Sequence, residues 1–164
     1  MAGRIDLKNC TLTVKDGAGS PASVTLKVGT GNFTWTETKT RIYDMDRGDF
    51  DAVRNGDENP MDVKFDFVWE YLLSDGAEGA SIEDALKKTG AAASWTSTDT
   101  NTCAPYAVNL VVLHDPVCTT TMTEQYTFPQ FRYESLDHDP KEARVSVSGK
   151  CNATQPTIVR ASNS

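Results

Sequence analysis

Apolar and polar residues alternate with unusual regularity over residues 61–73. Met61, Val63, Phe65, Phe67, Trp69, Tyr71 and Leu73 fall on one side, and Asp62, Lys64, Asp66 and Glu70 on the other. A period of two is the signature of a strand with one buried and one wet face, and a run of this length would extend about 40 Å. Looser alternations place strands at 4–16, 23–28, 33–43, 106–114, 122–136 and 143–148. The strand at 33–43 opens on Phe33 and Trp35 and continues through Thr34, Thr36, Thr38 and Thr40, whose β-branching suits extended backbone. Pro129 interrupts the 122–136 run and marks an edge or a bulge. A single helix is predicted over 81–89, with Ser81 as N-cap, Asp84 three residues on and Ile82, Ala85 and Leu86 as its apolar stripe.

Turn residues separate these elements: Asp16-Gly17 through Pro21, Gly29 through Asn32, Ser74 through Gly79, and Asp137 through Pro140. Residues 44–60 form a long inter-strand loop in this reading, far longer than the usual connection of about two to five residues, and are the first segment expected to touch a partner. Residues 158–164 read as a frayed C-terminus. Six to eight strands with one helix predict an all-β fold, a β-sandwich or open barrel with one short flanking α-helix, and 164 residues fit one domain spanning 1–164.

Charge changes the picture more through its placement than through its net value of -7. Between Arg41 and Asp84 acids outnumber bases thirteen to four, so this segment carries -9 and the rest of the chain +2. No basic run with interleaved aromatics offers phosphates a docking track, which argues against tight nucleic-acid binding. No segment has the roughly twenty apolar residues needed to cross a bilayer. Met1-Ala2-Gly3-Arg4 leads into no apolar signal core, so a cytoplasmic chain with reduced cysteines is expected. Cys10, Cys103, Cys118 and Cys151 include no Cys-x-x-Cys pair. Neither His114 nor His138 stands at metal-ligand spacing from them.

Candidate chemistry is sparse. Asp44, Asp46, Asp49 and Asp51 have the carboxylate density calcium favours, but Asp49 stands where an EF-hand loop needs its glycine. Asp66 and Glu70 are about 13 Å apart along one strand, too far to share a proton. With no nucleophile elbow, phosphate-binding glycine loop or His-Glu-x-x-His, no catalytic residue, metal or cofactor is expected and the chain is read as a non-enzyme. Trp35, Trp69 and Trp95 leave open a different class, a monomeric β-sandwich module that binds carbohydrate.

An ordered set of short motifs runs along most of the chain. It comprises Gly31-Asn-Phe-Thr-Trp35, Asp46-Arg-Gly-Asp49, Arg54-Asn-Gly-Asp57-Glu-Asn-Pro60, the alternating strand, Ser81-Ile-Glu-Asp-Ala-Leu86, Tyr126-Thr-Phe-Pro129 and Val145-Ser-Val-Ser-Gly149. In this order and spacing the chain resembles the major tail tube proteins of long, non-contractile-tailed bacteriophages. The resemblance implies a β-sandwich subunit in hexameric rings that stack into a tube, assembled in the host cytoplasm and carried in the virion tail. The implied partners are further copies of the chain, the tape-measure, tail terminator and distal tail proteins, and DNA in passage, with no membrane. Asp62, Lys64, Asp66 and Glu70 then become candidate lumen-facing residues. Asp44, Asp46, Arg47, Asp49, Asp51, Arg54, Asp57 and Glu58 become a candidate inter-subunit or inter-ring loop. A wall presenting Asp62, Asp66 and Glu70 around a ring would repel phosphates rather than bind them. The tube protein of a contractile tail or secretion system is the alternative within the same structural class.

Overall fold

A computed structural model describes residues 5–26, 28, 31–69, 81–115 and 123–161. Its strands are β1 (Cys10–Lys15), β2 (Ser23–Leu26), β3 (Phe33–Thr36), β4 (Lys39–Asp46), β5 (Asp49–Glu58), β6 (Met61–Val68), β7 (Val108–His114), β8 (Thr123–Asp139), β9 (Arg144–Cys151) and β10 (Thr157–Ala161). The one α-helix among the described residues, α1, spans Ile82–Lys87. All strand pairs are antiparallel, and the main sheet runs β2-β1-β7-β8-β9-β6-β3 with β10 on β8. The fold is all-β, as the alternation predicts.

β6 shows why. Met61, Val63, Phe65 and Phe67 are buried while Asp62, Lys64, Asp66 and Val68 lie on the opposite face. Burial of such side chains stabilises by roughly 1.5–3 kcal/mol each, which fixes the register because a one-residue slip would exchange the faces. The expected strand over 61–73 ends at Val68, and Trp69, expected on its buried face, lies beyond it at 40% exposure; Glu70 and residues 71–73 lie outside the described residues.

The seventeen-residue β8 carries the centre of the sheet. Its first half lies between β7 and β10, and its second half pairs with β9. Leu110 faces Phe128 and Val108 faces Phe131, so β8 holds one residue more than β7 between these pairs. That extra residue falls at Pro129-Gln130, where Pro129 has no N–H to give a ladder and Gln130 takes φ 52. Gln130 recovers a partner by donating its amide to Asn109 Oδ1 at 3.1 Å. Residues three apart on a regular strand point to opposite faces; the bulge turns both Phe128 and Phe131 inward, at 0% and 1% exposure.

Phe128 then closes the sheet on itself. Its ring is 5.6 Å from Phe33 and 5.0 Å from Trp35, both on the edge strand β3 at the far end of the strand order. Phe33 stacks on Phe65 at 5.5 Å, and Phe65 meets Phe131 at 5.8 Å. Such aromatic contacts add about 0.5–1.5 kcal/mol each beyond area burial. The curled sheet is an open barrel with β2 and β3 as its edges. Gly149 lets β8 and β9 approach, since a Cβ there would lie 2.2 Å from the Arg132 carbonyl oxygen and 2.7 Å from Phe131 Cζ.

Asp16 ties the β1–β2 turn to the crossing before β7. Its buried carboxylate accepts from the amides of Ala22 at 2.9 Å, Thr96 at 3.2 Å and Ala18 at 3.3 Å. Helix α1 follows the expected cap: Ser81 Oγ accepts the Asp84 amide at 3.1 Å. It ends earlier than the predicted residue 89, because Lys88 takes a left-handed conformation and turns the chain out. Tyr106 Oη donates to the Ala85 carbonyl at 2.9 Å, and Glu83 accepts from Lys87 and meets His138 Nε2 at 3.2 Å.

Four expectations are corrected. The strand at 33–43 breaks after Thr36, because Glu37, Lys39 and Arg41 replace the apolar residues that alternation with Phe33 and Trp35 would require. The long loop at 44–60 is not a loop: β4 and β5 form a hairpin, closed by Arg47 and Gly48 at φ 53 and 89. Two central residues at positive φ match the twist of paired strands, so this two-residue turn lets β4 and β5 pair directly on both sides. Residues 158–161 are not frayed, since β10 pairs with β8 from Thr157↔Thr127 to Ala161↔Thr123; residues 162–164 lie outside the described residues. The turn expected at Asp137 through Pro140 begins only at Pro140, because β8 continues to Asp139 opposite Arg144.

Phe128→Ala should cost about 3–5 kcal/mol in chemical denaturation, by cavity formation and by releasing β3. The Glu83 carboxyl is held below its usual range chiefly by the Lys87 hydrogen bond, opposed by burial, with the charges of Lys87 and His138 adding to the lowering. A lowered folded-state pKa contributes stability above the unfolded value of 4.5 and loses it as pH falls through the folded value. Melting curves of wild type and Glu83→Gln should therefore differ at neutral pH and converge as pH falls through the lowered folded-state value.

Candidate assembly surfaces

Two surfaces collect the residues singled out in the sequence. The first is the wet face of β3, β6, β9 and the second half of β8. Asp62, Lys64 and Asp66 share it, as expected from one strand register; Glu70 lies outside the described residues. The strand is acidic, but the face is not. Lys150 of β9 reaches Asp62 at 3.0 Å, and the Ser146 hydroxyl donates to Asp66 Oδ1 at 2.6 Å. The Asp62 hydrogen bond, then its charge, raises the Lys150 pKa and keeps the ammonium charged. Arg144 and Lys150 on β9 bring cations to the same sheet as Asp137 and Asp139. Between them Thr34, Ser135, Ser146 and Ser148 line a shallow polar depression with Lys64 and Asp66. The face expected to be acidic is mixed in charge and rich in hydroxyls. Its cations come from the alternation Arg144-x-Ser-x-Ser-x-Lys150, which is visible in the sequence once β9 is known to pair with β6.

The second surface is the β4–β5 hairpin, which forms its own two-stranded sheet and joins no strand of the barrel. Asp44 and Arg54 form an ion pair at 3.3 Å, Arg41 bonds Asn55, and Lys39 lies opposite Glu58. Asp46 and Asp49 flank the turn, Arg47 occupies its apex, and Asp51 is the extra residue of a bulge between Asp44↔Ala52 and Met45↔Phe50. Asp57 lies toward the base in β5. The carboxylates are therefore strung along a ribbon. Among the described residues no group of three or more His, Cys, Asp and Glu side chains converges as a metal site.

Counting carboxylates misses the more informative residues of this hairpin. Tyr43↔Val53 and Met45↔Phe50 are cross-strand pairs on one face of the ribbon, with Tyr43 and Phe50 rings 5.9 Å apart. All four are exposed, Phe50 at 75%. A two-stranded hairpin alone is marginal in water, and an uncovered row of large apolar side chains marks a contact surface. The signal was present as Tyr43-x-Met45 and Phe50-x-x-Val53 on either side of Arg47-Gly48, short enough to be hidden by the acids around it.

Other titratable groups are built into the body. Burial pushes the Cys151 thiol up to about 12, and burial together with Asp16 pushes Tyr106 up to about 12. The Cys10 thiol donates to the Asp6 carbonyl at 3.1 Å, and burial, then Asp6, raises its pKa, so it is held as the thiol. His114 is buried with Nε2 unpartnered. Cys10, Cys103 and Cys151 are free, and Cys118 lies outside the described residues. The three tryptophans do not form a shared platform: Trp95 is buried, Trp35 packs on Phe128 and Tyr126, and Trp69 meets His138 edge-on at 5.0 Å.

These features define the class as an all-β open barrel carrying an exposed, amphipathic hairpin. No protein-family model matches the chain, and no curated protein matches it. Among solved structures, a chain of the anti-feeding prophage baseplate, determined by cryo-EM with six-fold symmetrisation, is similar over 99% of both chains at 6% identity and TM-score 0.40. A likeness at that level carries no argument about function.

An arm without a partner should be the first part of an isolated subunit to open. Brief trypsin treatment of dilute protein should cut after Arg41, Arg47 or Arg54 before Lys64, Arg144 or Lys150, as read by mass spectrometry over time.

Proposed function

We propose that this chain is a structural virion protein, the subunit of a phage tail tube in which hexameric rings stack around a lumen that conducts DNA. The observation that carries this reading is the β4–β5 hairpin, which holds Tyr43, Met45, Phe50 and Val53 out to solvent on one face. A chain that functions alone gains nothing from such an arm; a chain that assembles uses it to reach a neighbour. The motif order shared with major tail tube proteins supports the same conclusion, as do the open edges β2 and β3, which can be completed by strands of adjacent copies. Head-to-tail contacts that close give a ring, and contacts that do not close give a filament.

The β3-β6-β9 face suits a lumen wall for a reason other than net repulsion. Lys150 is matched by Asp62 across the strand pair, so this cation is not free to take a phosphate. A mixed wall of this kind would leave passing DNA with low friction and no counterion-release gain. The role is non-enzymatic and needs no cofactor. Further copies of the chain are the first partners, and tape-measure, terminator and distal tail proteins the next.

Negative-stain microscopy and sedimentation velocity over a rising concentration series test this directly. Wild type should form rings or tubes with a central hole, whereas Phe50→Asp should stay monomeric with an unchanged circular dichroism spectrum. A wild-type protein that remains a monodisperse monomer at every concentration overturns the proposal.

A further inference from the structure

Resting on that reading, we infer that the hairpin of one copy docks into the groove between α1, residues 105–106 and the middle of β8 on a second copy. The hairpin needs a receiver with two properties. It must cover a row of aromatic and aliphatic side chains, and it must tolerate acid. Near the tip Asp44, Asp46, Asp49 and Asp51 outnumber Arg47 and Arg54.

The groove has both. It encloses about 480 Å³ and is lined by Leu86, Lys87, Pro105, Tyr106, Arg132 and Tyr133, with Glu134 at one side. Tyr133 is an exposed large side chain of the barrel, and Leu86 and the half-buried Tyr106 form the floor beside it. Its rim is basic. Lys88 extends over the Tyr106 ring at 5.8 Å, and Lys87 and Arg132 stand on either side. Glu83 and Asp99 already hold Lys87 and Arg132, at 2.5 and 2.6 Å, so those cations are fixed in place around the opening. Lys88, exposed and turned out of the helix by its left-handed backbone, is the cation the arriving carboxylates would meet.

Reach is sufficient. The eight residues of β4 extend about 26 Å, and the hairpin is built as a separate sheet rather than folded back on its own barrel. A rival receiver exists at the seam beside β3, where Leu7, Trp35 and Tyr126 line a groove of about 340 Å³. Asp6 is the charged residue of that lining. The acidic tip therefore favours the groove that presents Lys88 over the one whose charged residue is Asp6.

The test uses a full-length chain with a photo-cross-linking benzoylphenylalanine in place of Phe50, mixed with isotope-labelled wild type and irradiated under assembling conditions. Labelled and unlabelled peptides should join between position 50 and segments containing Leu86–Lys88, Pro105–Tyr106 or Arg132–Glu134. In parallel, Lys88→Glu should raise the concentration needed for assembly by about tenfold at low salt and much less at 0.5 M salt. Assemblies whose cross-links map to the β3 seam or to another hairpin overturn this docking site while leaving the tube reading intact. Subunits that do not assemble under any condition overturn both, and cross-links confined to one chain overturn the intermolecular contact.

Discussion

The barrel depends on one aromatic seam, in which Phe128 and Tyr126 of β8 meet Phe33 and Trp35 of β3. Without that contact the strand order β2-β1-β7-β8-β9-β6-β3 would describe an open ribbon with one oily face. With it, the edge strand is drawn across to the centre and the face becomes an interior. The device that aims Phe128 is the bulge at Pro129-Gln130. A residue poorly suited to a sheet interior thus supplies the irregularity that lets the sheet bend.

How much of this could be read from the chain depends on how local each cause is. The core face of β6, the Ser81 cap and the irregularity at Pro129 are written in neighbouring residues, and all three are found where the sequence places them. The break after Thr36 also has a local cause, the loss of apolar residues at Glu37 and Lys39. The run of threonines, with its strong β-preference, concealed it. β10 was hidden for a different reason: Ile158 and Val159 are exposed, so no burial pattern announces a strand that exists through its pairing with β8.

The candidate surfaces divide along the same line. Which residues of β6 share a face follows from period two, and Asp62, Lys64 and Asp66 do share one. The charge of that face does not follow, because Lys150 and Ser146 arrive from a strand some eighty residues away, and only pairing brings them beside Asp62 and Asp66. In the hairpin the acids drew attention to the right segment for an incomplete reason. Its defining property is the pairing of Tyr43 with Val53 and Met45 with Phe50 across a turn whose two residues both hold positive φ.

The way the hairpin is rooted has a mechanical meaning. β4 follows β3 after Glu37-Thr38, and β5 runs through Asn59-Pro60 into β6, so a pull on the arm passes down the backbone of β6. That strand is laddered to β9 over its whole length, from Met61↔Cys151 to Val68↔Arg144. Antiparallel hydrogen bonds lie perpendicular to the strands, so tension along β6 loads the ladder in shear, many bonds together, instead of peeling them one by one. An arm attached this way is an anchor: under tension along the strand, the barrel resists as a unit.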